Sequence, residues 1–99
     1  MLDLTPAQLA LVQRLLAAHV PGATVKAFGS RVSGHAKPYS DLDLAICGSA
    51  VLSLAVMSRL QEDFQESDLP FRVDLVDWHQ ITPEFRAIID GHALLVPSV

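Results

Sequence analysis

Residues 29–46 read GSRVSGHAKPYSDLDLAI, and this stretch decides the fold. Its second half, Ser40-Asp41-Leu42-Asp43-Leu44-Ala45-Ile46, alternates acidic and aliphatic side chains with the period of a strand. Leu42, Leu44 and Ile46 then point to one face, toward a core, while Asp41 and Asp43 share the other. Two like charges side by side at a strand start repel and need compensation. A hard divalent cation such as Mg²⁺ supplies it through oxygen ligands. Two solvated carboxylates on an open sheet face are the simpler reading of an isolated Asp-x-Asp. The first half opens on Gly29-Ser30, directly after an apolar run. Glycine lets the backbone approach a ligand closely, and serine offers a hydroxyl and an N–H to a phosphate oxygen. The same dipeptide also makes ordinary turns.

Upstream, Thr24 to Phe28 reads as a strand that stops at Gly29. Before it, Thr5-Pro6-Ala7-Gln8 is a helix start, with Thr5 as cap, Pro6 at the first helical position and Gln8 completing a capping box. Leu9, Val12, Leu15, Leu16 and His19 recur at helical spacing, and Pro21-Gly22 ends the helix. Downstream, Ser30 to Ser40 is loop-like and Leu42 to Ile46 is the second strand. Val51 to about Phe64 follows as a helix, with Leu52, Ala55, Val56, Leu60 and Phe64 near helical period. Phe71 to Val76 is a third strand. Thr82-Pro83 starts a last helix whose apolar face is Phe85, Ile88 and Ile89, with Gly91 at its end. Ala93 to Val96 makes a short final strand. The order α-β-loop-β-α-β-α-β defines an α/β (α+β) fold, a small sheet with helices packed on it, as one domain over residues 1–99. Strand order does not follow from this string.

Asp74 changes the weight of the Asp41/Asp43 pair. It lies in Arg72-Val73-Asp74-Leu75-Val76, a segment otherwise apolar except for Arg72. A carboxylate inside a strand is disfavoured by propensity and costly if buried alone. It is explained if this strand neighbours the other and Asp74 joins the cluster. Three carboxylates can hold one or two metal ions that stabilise the attacking and leaving oxygens of an in-line displacement. Asp77, beyond the strand end, reads as a turn or cap residue. His35 reads as a solvated loop residue, Cys47 as a small buried hydrophobe and Trp78 as core or, if exposed, an interface anchor.

Composition narrows the classes. The chain has 99 residues, 51% of them hydrophobic, so a packed globule is expected. The net charge of −4 argues against broad binding to a nucleic-acid backbone. It leaves a nucleotide ligand open, since a bound cation reverses the local sign. No apolar stretch reaches the length of a membrane span, and Met1-Leu2-Asp3-Leu4 lacks the basic start of a secretory signal. With Cys47 alone there is no internal disulfide, which fits a reducing, cytoplasmic setting.

Gly29-Ser30, ten intervening residues, Asp41-Leu42-Asp43 and the later strand aspartate Asp74 together resemble the signature of the nucleotidyltransferase superfamily. The wording of residues 29–46 is similar to its smallest branch, the minimal nucleotidyltransferases (MNT proteins). The likeness runs from the first helix through Val73-Asp74-Leu75-Val76-Asp77 to the Pro83-Glu84-Phe85 helix. The resemblance implies the nucleotidyltransferase fold, with a small mixed sheet. It implies that Gly29, Ser30 and Arg31 contact the triphosphate of an NTP such as ATP. Asp41, Asp43 and Asp74 would hold Mg²⁺, and Asp74 would accept the proton of the attacking hydroxyl. One departure stands out: the branch commonly reads Gly-Ser-Arg-Ala-Arg-Gly, whereas this chain has Ser33 in place of the second arginine, so nucleotide grip falls in part to Lys37.

The same resemblance implies a partner. Minimal nucleotidyltransferases work beside a small helical protein of the HEPN class, as antitoxins, and some attach AMP to a partner tyrosine. The apolar stripes Leu9 to Leu16, Leu52 to Leu60 and Phe85 to Ile89 are expected to be used up covering the sheet. The acceptor would then come from outside, in a homo- or hetero-oligomer. Two other readings stay open: an antitoxin that only occludes its partner, and a transferase acting on a small molecule such as an aminoglycoside.

Overall fold

The computed structural model describes residues 2–99; Met1, part of the segment read as lacking a signal sequence, lies outside them. The first helix, α1 (Pro6–His19), begins on the expected capping box: Gln8 N–H donates to Thr5 Oγ1 at 3.1 Å, and Thr5 N–H donates to Gln8 Oε1 at 3.0 Å. It is followed by β1 (Thr24–Phe28), a single-turn helix α2 (Ser30–Ser33), β2 (Leu42–Cys47) and α3 (Leu54–Gln65). Then come β3 (Val73–Asp77), a 3₁₀ turn (Trp78–Gln80), α4 (Pro83–Asp90) and β4 (Leu94–Leu95).

The four strands form one mixed sheet in the order β3-β2-β1-β4. β1 runs antiparallel to both neighbours, and β2 is parallel to β3, with α3 as the crossover between them. Val25, Ala27, Leu42, Leu44, Ile46 and Val73 face α1 and α3, where Val12, Leu16, Leu60 and Phe64 close the main core. The opposite face carries Lys26, Phe28, Asp43, Ala45 and Asp74. It is covered in part by α4 and the 3₁₀ turn: Phe85 meets Phe28 edge-on at 5.9 Å, and Lys26 lies 3.9 Å over the Trp78 ring while pairing with Asp90 at 2.7 Å. Ala45 and Ile89 are fully buried yet stand apart from the main core, because the sheet separates the two layers.

Several boundaries differ from those expected. The stretch after Gly29 coils into α2 rather than running on as loop, because Val32 N–H and Ser33 N–H both donate to Gly29 O. The helix expected from Val51 begins at Leu54, since Ser53 caps it by accepting from Val56 N–H at 3.1 Å. The third strand starts at Val73, not Phe71; the Phe71 ring instead packs under a guanidinium. Ile88 is not part of the buried face of α4 but 62% exposed, because that face is spent on Phe85 and Ile89.

Candidate active site

Sheet register assembles the site. In the parallel pair, Asp43 is directly opposite Asp74; in the antiparallel pair, Phe28 is opposite Asp43. The end of β1, the start of β2 and the start of β3 therefore meet at one corner. Asp41, two residues before Asp43, falls on the same face. Gly29 follows Phe28 with φ 82°, a left-handed region that side chains other than glycine's rarely adopt. A Cβ there would also run into the Asp43 carboxylate. Two separate constraints thus demand glycine beside Asp43, and Ser30 is presented at the start of the turn that follows.

Arg72 completes the corner, and sequence reasoning noted it only as the polar exception in an apolar run. Its Nη2 donates to Asp41 Oδ2 at 3.0 Å and to Asp74 Oδ2 at 3.3 Å, and its Nε pairs with Asp74 Oδ1 at 3.2 Å. The available signal was its position two residues before Asp74, which puts both on one face. Asp41 and Asp74 in turn push the Arg72 guanidinium pKa above its usual value. Among the described residues, Asp43 has no such partner. Burial raises its pKa, the charges of Asp74 and Asp41 raise it further, and Arg72 only partly offsets them. The corner is short of positive charge.

Arg31 lies elsewhere. The expected phosphate ligand is buried, 4% exposed, and its fork is spent on backbone carbonyls. Nε donates to Ser40 O at 2.9 Å, Nη1 to Asp3 O at 2.9 Å, and Nη2 to Pro38 O at 2.9 Å and Lys37 O at 3.3 Å. The guanidinium also stacks 3.9 Å from the Phe71 ring. This geometry makes Arg31 the anchor of the 33–40 loop, with its guanidinium turned to carbonyls rather than to the acidic corner. Ser33 and Lys37 are exposed on that loop, and Ser33 Oγ is engaged with Ser30 O and His35.

Asp77 is not a fourth member of the cluster. It points to the other face of β3, is buried, and accepts from Leu52 N–H at 2.8 Å and His79 N–H at 3.0 Å, the capping role its position suggested. Trp78 is half-buried between Lys26 and Arg86, so it is neither pure core nor a free anchor. Among the described residues, no three acidic, histidine or cysteine side chains stand together at metal-ligating spacing, and no helix is long and apolar enough to cross a membrane.

The chain belongs to the family described as "Polymerase beta, Nucleotidyltransferase", whose model matches residues 12–97. Members generally use a divalent metal ion. A Haemophilus influenzae protein named "Probable protein adenylyltransferase MntA" is 53% identical over 88 residues, covering 89% of this chain and 77% of its own. Two solved structures establish the fold. A toxin–antitoxin crystal structure with AMP-PNP superposes with a TM-score of 0.77 at 22% identity, over 92% of this chain and 73% of the other. A complex of tri-AMPylated Shewanella oneidensis HEPN toxin with MNT antitoxin superposes with a TM-score of 0.66 at 22% identity, over the same shares.

Proposed function

We propose that the protein transfers AMP from ATP to a hydroxyl, a tyrosine's, on a small helical HEPN-type partner, and acts as the antitoxin of that pair. The observation that carries this reading is the sheet register, which puts Asp41, Asp43 and Asp74 on one face at the half-exposed corner beside Gly29-Ser30. The name of the Haemophilus influenzae relative, and the AMPylated toxin in the Shewanella oneidensis complex, support AMP as the group transferred and a HEPN-type protein as its acceptor.

The residues suit a hard divalent cation, taken as Mg²⁺. Three carboxylates supply oxygen ligands, and the raised pKa of Asp43 marks a place where added positive charge is favourable. Asp41, Asp43 and Asp74 would hold the ion, which when bound neutralises charge on the phosphates and on the leaving pyrophosphate. Gly29 keeps the corner free of a side chain, so the triphosphate can lie against the backbone while Ser30 donates to it. Asp74 lies on the edge strand β3, its side chain 43% exposed, where an incoming hydroxyl meets it first and can give up its proton. The acceptor oxygen forms its bond to the α-phosphorus as the bond to the bridging oxygen of pyrophosphate breaks.

The test is the intact mass of the HEPN-type partner after incubation with the protein, Mg²⁺ and each NTP in turn. A gain of one or more AMP units with ATP, absent with Asp43→Asn, is expected. A complex that forms while the partner's mass never changes would overturn the enzymatic reading and leave antitoxin action by occlusion.

A further inference from the structure

The two arginines near the site are held in opposite ways. Arg31 is locked into carbonyls, whereas the Arg72 side chain is 66% exposed and its only polar side-chain contacts among the described residues are Asp41 and Asp74. Its backbone is fixed, because Leu42 N–H donates to Arg72 O at 2.9 Å across the β2–β3 junction. The guanidinium can therefore leave the carboxylates by side-chain rotation alone, with the sheet undisturbed.

Its position is informative. A single nitrogen, Nη2, is within reach of one oxygen from each of Asp41 and Asp74, so its positive charge lies between two carboxylates that would hold a cation. A cation held by Asp41 and Asp74 would compete with the guanidinium for those oxygens. A guanidinium leaving them emerges at the mouth of the same corner, where a triphosphate offers oxygens that suit its planar fork.

We propose that Arg72 is a resident counter-ion that competes with the divalent cation for Asp41 and Asp74, and that nucleotide binding draws it off. Resting on the metal-dependent reading above, this deepens it: Arg72 makes the empty site discriminate against free metal and couples metal binding to nucleotide binding. By linkage, the nucleotide tightens the metal by the same factor as the metal tightens the nucleotide.

The experiment measures Mn²⁺ binding by electron paramagnetic resonance, at fixed ionic strength, to the wild-type chain and to Arg72→Gln. Each is measured alone and with a non-hydrolysable ATP analogue, and circular dichroism confirms the fold. Without nucleotide, Arg72→Gln should bind Mn²⁺ about fivefold more tightly, the scale set by losing an exposed ion pair. With the analogue present, that advantage should shrink or reverse, because the wild-type guanidinium has moved to the phosphates. Equal or weaker Mn²⁺ binding by Arg72→Gln without nucleotide would overturn the proposal. If AMP transfer to the partner persisted in that case, the proposed function would stand without it. Failure of both chains to bind Mn²⁺ under any condition would overturn both.

Discussion

Asp43 binds its proton more readily in the folded chain than in the unfolded one, because burial, then the charges of Asp74 and Asp41, outweigh Arg72. Ionising it therefore costs stability. The cost is absent well below the ordinary value of 3.8, where both states are protonated, and complete once pH has risen past the raised folded value. In chelator, Asp43→Asn should thus melt higher than wild type at pH 7, with the gap closing as pH falls toward 3.8. A gap that does not vary with pH would mean that the aspartate destabilises through something other than its charge. Arg31 gives the opposite expectation. Arg31→Lys loses the fork that serves four carbonyls, so stability should drop by on the order of 2 kcal/mol, seen in urea unfolding. Preserved stability with a raised KM for ATP would restore it to the phosphate. At this scale, the alternation around Asp41 and Asp43 was legible because a strand's period is local. The role of Arg31 was not, since it depends on Asp3 and Phe71, which only the folded chain brings near.

Between residues and the whole, the elements are tied by a few polar side chains at their ends. Asp77 is the clearest of these, since one carboxylate caps the 3₁₀ turn after β3 and also holds Leu52, on the approach to α3. Asp77→Ala would leave Leu52 N–H short of its acceptor in a part-buried setting. A loss of about 1–3 kcal/mol is expected. For a chain this size that is a fall of roughly 5 °C or more in Tm by calorimetry. An unchanged Tm would mean that water replaces the carboxylate freely. Two helix starts were legible here because Thr5 and Thr82 carry their own caps before a proline, whereas the Ser53 cap is masked by the apolar Val51 and Leu52 just ahead of it. Strand order was not legible. The string of elements allows several sheets, and the one that forms is selected by contacts between segments distant in sequence, such as Asp43 opposite Asp74.

Over the whole molecule, the sheet is a divider between two unequal layers. α1 and α3 cover the side that holds the main core, and α4 with the 3₁₀ turn covers part of the other. The division of labour explains why a chain of 99 residues can expose a charged site without exposing its main core. The edge strand β4 adds a temporal consequence. Its residue Leu95 pairs with Lys26, and Val96 N–H donates to Val25 O at 2.9 Å, joining segments roughly seventy residues apart. Closing so long a loop wins only a two-residue ladder, so this edge should assemble late and fray first. β2, flanked on both sides by paired strands, should open only when everything does. Hydrogen exchange should therefore find the Val96 amide trading with solvent well ahead of Leu44 and Ile46. Equal protection at all three would mean that β4 belongs to the same cooperative unit as the centre of the sheet.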